Sequence, residues 1–194
     1  LNNKQDAQKK ALEDLRAKLK AKQTAWEQHT LQALMETPQW SVLSVESFKA
    51  TGKPTHKLQE DGSVLLAGKN PAKSTYIITT KSDLTKITAI RLEALTDPSM
   101  IKNGPGRNFA AASNPNFVVN EFTVKINDKS VKLASASASF NQKRLEVKGS
   151  IDGDPQTGWA INPAFGKTAW AIYKLAQPLE LKPSAQIEFS IVQN

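Results

Sequence analysis

The chain has 194 residues, enough for one domain of ordinary size with an appendage and too few for two full domains. Its 39% hydrophobic and 23% charged residues exclude a disordered or collagen-like chain, and the absence of cysteine excludes disulfides and zinc–thiolate sites. A net charge of +8 is compatible with a polyanionic partner, but the sequence contains no run of more than two adjacent basic residues. We therefore predict no nucleic-acid partner. The apolar runs are too short for a membrane span, and none is predicted.

The first 36 residues predict a helix. Residues 4–36 contain no Gly or Pro and are rich in Ala, Lys, Leu, Glu and Gln. Apolar residues recur at helical spacing, at Leu12, Leu15, Leu19 and Trp26. We expect one amphipathic helix over about residues 5–35, ended by Pro38, within a helical arm or linker of residues 1–38. The heptad pattern fails at Lys22, so no sustained coiled coil is expected, and the apolar stripe needs a neighbour.

Residues 39–194 have the sequence pattern of an all-β domain. Short segments that alternate apolar and polar side chains are separated by turn residues, which predicts strands with one buried and one solvated face. About eight strands of this kind are typical of a β-sandwich or jelly roll. The predicted strands are 42–48, 64–67, 74–80, 87–95, 117–126, 131–139, 169–175 and 187–192.

Residues 96–116, the long loop, show no periodicity and carry several Pro and Gly residues. A loop of this length in a compact domain is usually functional or pinned by a metal. An arginine beside an aromatic ring can bind hydroxyls or carboxylates while the ring stacks on an apolar face. The candidate ligand-binding residues are Arg107, Asn108, Phe109 and Asn114. In the alternative interpretation, Arg107 pairs internally with Asp97 or Glu121 and only pins the loop.

Residues 150–159 form a second candidate site. Asp152, Asp154 and Thr157 lie within six residues, and Gly153 frees the backbone to turn. Carboxylate, hydroxyl and carbonyl oxygens in one turn suit Ca²⁺, which takes six to eight hard oxygen ligands. The alternative is an Asx-rich turn capped by a buried Trp159.

The same segment resembles a known family. The pattern Asp152-Gly153-x-x-x-Thr157-x-Trp159, after an alternating Ala/Ser stretch and before a Trp-containing strand, is similar to discoidin domains and related carbohydrate-binding modules. The resemblance implies a galactose-binding-like β-sandwich with one structural Ca²⁺, held by this loop and by a Glu on a distant strand. Here that Glu is Glu121, although its strand precedes the loop in the chain rather than following it.

A second resemblance covers most of the chain and rests on several motifs. These motifs are Asp61-Gly62-Ser63-Val64, Asp97-Pro98-Ser99, Gly104-Pro105-Gly106-Arg107, Asn116-Phe117-Val118-Val119-Asn120-Glu121-Phe122 and Ile151-Asp152-Gly153-Asp154. Together they make the chain similar to the β-rich module of planctomycete-type cytochrome c proteins, in which a charged helix joins such modules to neighbouring domains. The resemblance implies a fragment of an exported, periplasmic or cell-surface, multidomain protein. No Cys-x-x-Cys-His motif is present, so no haem belongs to this fragment.

These observations predict a non-catalytic carbohydrate-binding module with a structural calcium site. The expected ligand is a polysaccharide or other glycan, and an anionic glycan would suit Arg107. The alternative is a structural spacer domain that binds no glycan and contacts neighbouring domains of the same polypeptide. No nucleophile–base triad, phosphate-binding loop or dinucleotide-binding motif occurs in the sequence, so we do not expect an enzyme.

Overall fold

The computed structural model describes residues 2–36, 39–107 and 114–194. It divides into two compact units, Leu1–Ser41 and Val42–Asn194. The first contains one helix, α1 (Asn2–Glu36), which agrees with the predicted helix to within a few residues at each end. In the described part of the chain, no helix has the length and apolar character needed to cross a membrane.

The second unit is built from antiparallel strands. Its core is apolar and comes from strands whose buried and exposed residues alternate, as a half-solvated sheet requires. The strands are β1 (Val45–Ala50), β2 (Thr55–Leu58), β3 (Val64–Ala67), β4 (Ser74–Ser82), β5 (Lys86–Ala94), β6 (Val118–Val119), β7 (Glu121–Ile126), β8 (Lys129–Val131), β9 (Leu133–Ala138), β10 (Trp159–Ala160), β11 (Ala169–Glu180) and β12 (Ala185–Gln193).

Five strands form the larger sheet, in the order β1-β4-β12-β7-β8. The central strand, β12, pairs with β4 on one side and β7 on the other, so that Ile187 lies opposite both Thr80 and Ile126. Alternate residues of β12 point into the core, including Phe189 and Ile191. This period of two explains why the segment folds as a strand.

The smaller sheet has the order β5-β11-β9 and faces the larger one. Phe122 on β7 stacks on Tyr173 on β11, with ring centroids 4.2 Å apart. A ring contact between the two sheets, with apolar residues from both around it, is the core of a β-sandwich. Two short ladders, β2-β3 and β6-β10, complete the unit.

The predicted all-β character with an N-terminal helix is confirmed. Each of the eight predicted segments contains a strand. The expected number of about eight was too low, because Asn120 divides one predicted strand into β6 and β7, and because β8 precedes the predicted segment 131–139, which it overlaps only at Val131. The other two additional strands, β2 and β10, were not predicted.

Candidate functional site

Residues 149–158, here called the acceptor loop, connect a short 3-10 helix (Val147–Ser150) to β10. Two consecutive Asx turns shape it. The Asp152 carboxylate accepts a hydrogen bond from the Asp154 N–H at 2.9 Å, and the Asp154 carboxylate accepts one from the Gln156 N–H at 2.9 Å. Gly153 between them has φ +82°, a conformation that other residues adopt only with strain. The local sequence thus dictates the turn, as Asx chemistry predicts.

Thr157 lies where this turn closes, and its hydroxyl oxygen is surrounded by acceptors. It lies 2.8 Å from the Gly149 carbonyl and 2.9 Å from the Asp154 carbonyl. The two carboxylate oxygens of Asp152 lie at 2.9 and 3.0 Å. The Asp154 carbonyl also accepts from the Thr157 N–H at 3.1 Å, and one Asp152 oxygen accepts from the Asp154 N–H, so three protons face four acceptor oxygens. The acceptor loop therefore gathers more oxygen lone pairs than its own donors can bind.

Glu121, the first residue of β7, brings a further carboxylate to this loop from a distant part of the sequence. The Gly153 N–H donates a hydrogen bond to it, yet Glu121 Oε1 is buried and has no hydrogen-bond partner among the described residues. Burial raises the pKa of Glu121, and the charges of Asp152 and Asp154 raise it further, against the opposing hydrogen bond from Gly153. The structure thus places Glu121 beside the acceptor loop that carries Asp152, Asp154 and Thr157.

The donor set fits a hard cation. Carboxylates of Asp152 and Glu121, the Thr157 hydroxyl and the carbonyls of Gly149 and Asp154 are the oxygen ligands that Ca²⁺ prefers. Among the described residues, no three His, Cys, Asp or Glu side chains converge closely enough to hold a metal by themselves. An ion here would therefore depend on the carbonyls and the hydroxyl as well as on the carboxylates.

Asn120, which the sequence reasoning did not select, ties the acceptor loop to the sheets. Its side-chain amide donates to the carbonyls of Pro155 at 3.1 Å and Thr157 at 2.8 Å. Its carbonyl oxygen accepts a hydrogen bond from the Asn194 N–H at 2.8 Å. Asn120 is buried, so these bonds form away from water. The available sequence signal was a polar residue interrupting an otherwise alternating segment.

The base of the acceptor loop is rigid. Trp159 is fully buried, its ring packs edge-on against Phe117 at 5.0 Å, and its indole N–H donates to the Phe140 carbonyl at 2.8 Å. The Ser150 and Tyr173 hydroxyls lie 3.0 Å apart in the core, and burial raises the pKa of Tyr173 to about 12. Both hydroxyls are therefore neutral structural groups at physiological pH.

The long loop places its polar groups differently. A guanidinium nitrogen of Arg107 donates to the carbonyls of Gly68 at 3.0 Å and Lys69 at 3.3 Å, and the Asn70 side chain donates to the Arg107 carbonyl. Arg107 thus binds backbone carbonyls rather than Asp97 or Glu121, the partners proposed from the sequence.

Of the other three candidates in the long loop, only Asn114 is among the described residues. The Asn114 side chain accepts a hydrogen bond from the Asn116 N–H at 3.2 Å, an ordinary Asx turn. The predicted ligand residues Asn108 and Phe109 lie outside the described residues. Of the four predicted residues, the structure therefore shows contacts for Arg107 and Asn114 alone.

Backbone contacts close the base of the long loop. The Gly106 N–H donates to the Pro115 carbonyl at 2.8 Å. A Cβ atom on Gly106 would overlap the backbone of Pro115 and Asn116, so a side chain cannot fit between the two arms. Glycine is required at this position because the opposing backbone lies too close for a side chain, and not because of the φ angle.

A groove of about 1270 Å³ lies beside the long loop, within the β-sandwich unit. Its walls come from β1, the β2-β3 hairpin, the end of β5 and the start of β6. Apolar side chains such as Phe48, Leu92 and Phe117 line it together with polar residues such as Asp97 and Arg107. Mixed apolar and polar linings of this kind are common in ligand-binding clefts.

No protein-family model, curated protein or solved structure matches this chain. Its resemblances to discoidin-type and cytochrome c-associated modules stay predictions. Within the described residues, the most distinctive arrangement is the set of oxygen atoms around Thr157, together with the unpartnered oxygen of Glu121.

Proposed function

We propose that this chain is a calcium-stabilised, non-catalytic carbohydrate-binding module of the galactose-binding-like type, belonging to an exported multidomain protein. One observation carries the calcium site: the acceptor loop holds several oxygen atoms around Thr157 without enough protons to pair them. A cation removes that deficit, because it binds lone pairs and needs no proton.

In this proposal, Asp152 and Glu121 supply carboxylate oxygens, Thr157 its hydroxyl, and Asp154 its carbonyl or side chain. A bound Ca²⁺ would offset the negative charge that these residues concentrate. The unpartnered oxygen of Glu121 would gain a ligand, and β7 would be tied to the acceptor loop. The expected role is structural, since such an ion would link the acceptor loop to β7 of the larger sheet.

The glycan part of the proposal is supported by the groove and by Arg107. Sugars present apolar ring faces and rows of hydroxyls, and the groove offers apolar walls with polar groups between them. Arg107 lies on this groove with one guanidinium nitrogen bound to carbonyls. Its charge, within a chain of net charge +8, favours a glycan that carries carboxylates or sulfates.

Thermal unfolding tests the calcium site. A ligand that binds only the folded form stabilises it by about 2.7 kcal/mol at a hundredfold excess over Kd. We therefore expect a higher melting temperature in millimolar Ca²⁺ than in EDTA, and a much smaller difference in Asp152→Asn and Thr157→Val. Asp128→Asn, in the β7-β8 turn, is the matched control and should respond like the parent chain. Equal melting temperatures in Ca²⁺ and EDTA would contradict the site.

A glycan array, probed with the full chain in Ca²⁺, tests the ligand. We expect Arg107→Ala to weaken binding to acidic glycans by about 1–3 kcal/mol, the usual value of a hydrogen bond to a charged group. Lys143→Ala, which is exposed and does not line the groove, is the control. If no glycan binds while Ca²⁺ still raises the melting temperature, the module is a structural domain and only the carbohydrate proposal fails.

The second candidate function is a spacer and interaction domain without a glycan ligand. The observation that favours it is helix α1, whose large apolar side chains are exposed along its length.

A further inference from the structure

Helix α1 presents a line of exposed apolar side chains. Leu12, Leu15 and Leu19 are 48%, 53% and 56% exposed, and Trp26, two turns further on, is 65% exposed. At about 100° per residue these four side chains fall on one narrow stripe. Burial of such side chains is favourable, so the stripe is suited to a partner.

The charges beside the stripe are mostly basic. Between residues 8 and 27, four of the five charged side chains within about a quarter turn of its midline are basic: Lys9, Arg16, Lys18 and Lys22, with Glu27 as the acidic one. The other acidic residues of the same stretch, Glu13 and Asp14, lie on the far side of the helix. Glu27 follows Trp26 and accepts a hydrogen bond from Gln23 within the helix.

This pattern selects among partners. Two copies of α1 would bring predominantly basic flanks together and would place Lys22 in the contact itself, which disfavours self-association. Binding to a membrane surface requires a broad apolar face. This stripe is narrow, because its four apolar side chains fall close to a single line along the helix. A single helix with a narrow apolar seam and acidic flanks complements both features.

We infer that α1 is a docking site for an acidic amphipathic helix, supplied by another protein or by a neighbouring domain. Leu12, Leu15, Leu19 and Trp26 pack into the partner's apolar seam. Arg16 and Lys18 flank that seam on opposite sides and pair with its carboxylates. This interaction is independent of the calcium site and of any glycan, because it involves only the first unit of the chain.

The test uses two synthetic peptides of four heptads, about 28 residues each. Both carry Leu at the two seam positions of every heptad. One has Glu at the flanking positions and the other has Lys. Fluorescence anisotropy of the labelled peptides is measured with the full chain. We expect the acidic peptide to bind at least about tenfold more tightly than the basic one, a difference of about 1.4 kcal/mol.

Two pairs of variants locate the contact. Leu15→Glu should weaken binding of the acidic peptide by about tenfold or more, because it puts a charge into the seam. Leu31→Glu is the matched control, since Leu31 is 60% exposed but lies off the stripe. The double change Arg16→Glu and Lys18→Glu should also weaken binding, whereas Lys10→Glu with Lys20→Glu, further from the midline, should not.

Three results would overturn the inference. The first is equal binding of both peptides, or no binding of either at concentrations up to about 100 μM, where weak helix pairs are still detected. The second is a dimer of the full chain in sedimentation that Leu15→Glu dissociates, which would identify a second copy as the partner. The third is binding to vesicles of phosphatidylserine and phosphatidylcholine that Leu15→Glu abolishes, which would identify an anionic membrane.

Discussion

The long loop and the acceptor loop both contain Gly, Pro, Asp and Ser, but they differ in how their polar atoms are paired. In the described part of the long loop, the Gly106 N–H pairs with the Pro115 carbonyl and one guanidinium nitrogen of Arg107 donates to two carbonyls, while its Nη1 is a buried donor without a partner among the described residues. In the acceptor loop, the acceptor oxygens around Thr157 outnumber its donors. Composition alone does not distinguish the two loops, whereas the balance of donors and acceptors does.

The largest expected effect comes from exchanging glycine for alanine in each loop. Gly106→Ala forces a methyl group against the backbone of Asn116 and should destabilise the domain by about 3 kcal/mol or more. The methyl group added by Gly153→Ala meets no atom within 4 Å. This variant should therefore lose only about 1 kcal/mol of stability, because alanine is strained at the positive φ angle of this position. Urea denaturation of both variants measures the difference. Similar losses in the two variants would show that the loops are not built differently.

A smaller effect is expected at Asn120. Asn120→Ala removes the hydrogen bonds that the buried Asn120 side chain donates to the Pro155 and Thr157 carbonyls, so the free energy of unfolding should fall by about 2 kcal/mol. The Asn120→Ala variant should also be stabilised less by Ca²⁺, since the acceptor loop loses the hydrogen bonds that hold it to Asn120. The matched variant is Asn114→Ala, which removes one local bond in the long loop and should cost less than about 1 kcal/mol. An equal loss in both variants would contradict the bracing role of Asn120.

The smallest effect is a pH dependence in the long loop. The Ser99 hydroxyl and N–H donate to the Asp97 carboxylate at 2.5 and 2.8 Å, and these bonds lower the pKa of Asp97. Its pKa in the unfolded chain is higher, so the stabilisation is present above that ordinary value and is lost as the pH falls through the lowered one. The stability difference between the parent chain and Asp97→Asn should therefore shrink in acid. Urea denaturation across a pH series would contradict this if the difference stayed constant.

Much of the fold could be predicted from the sequence, because strand periodicity is a local property. The prediction located β3 with its observed bounds and placed the central strand β12 within two residues. It missed β2 because Thr55–Leu58 is exposed throughout and lacks the alternation on which the prediction depends. It missed β10 because Trp159–Ala160 is only two residues long and follows turn residues.

The candidate metal site was only partly predictable. Asp152, Asp154 and Thr157 lie close together in the sequence, so their spacing alone indicates an oxygen-rich turn. Glu121 came from a family resemblance, and the structure brings it to the same loop through the sheet. Asn120 could not have been found from spacing, because its partner in Thr157 is 37 residues away and the pairing exists only after the sandwich forms.

The position of β12 also constrains how the chain can fold during synthesis. Among the described strands it is the last to leave the ribosome, yet it occupies the centre of the larger sheet, between β4 and β7. The pairs β1-β4 and β7-β8 can form earlier, but each then presents an open, partly apolar edge. We expect the two halves of the sheet to stay separate until β12 is available, which makes the domain a slow folder that is prone to aggregation until that strand has paired.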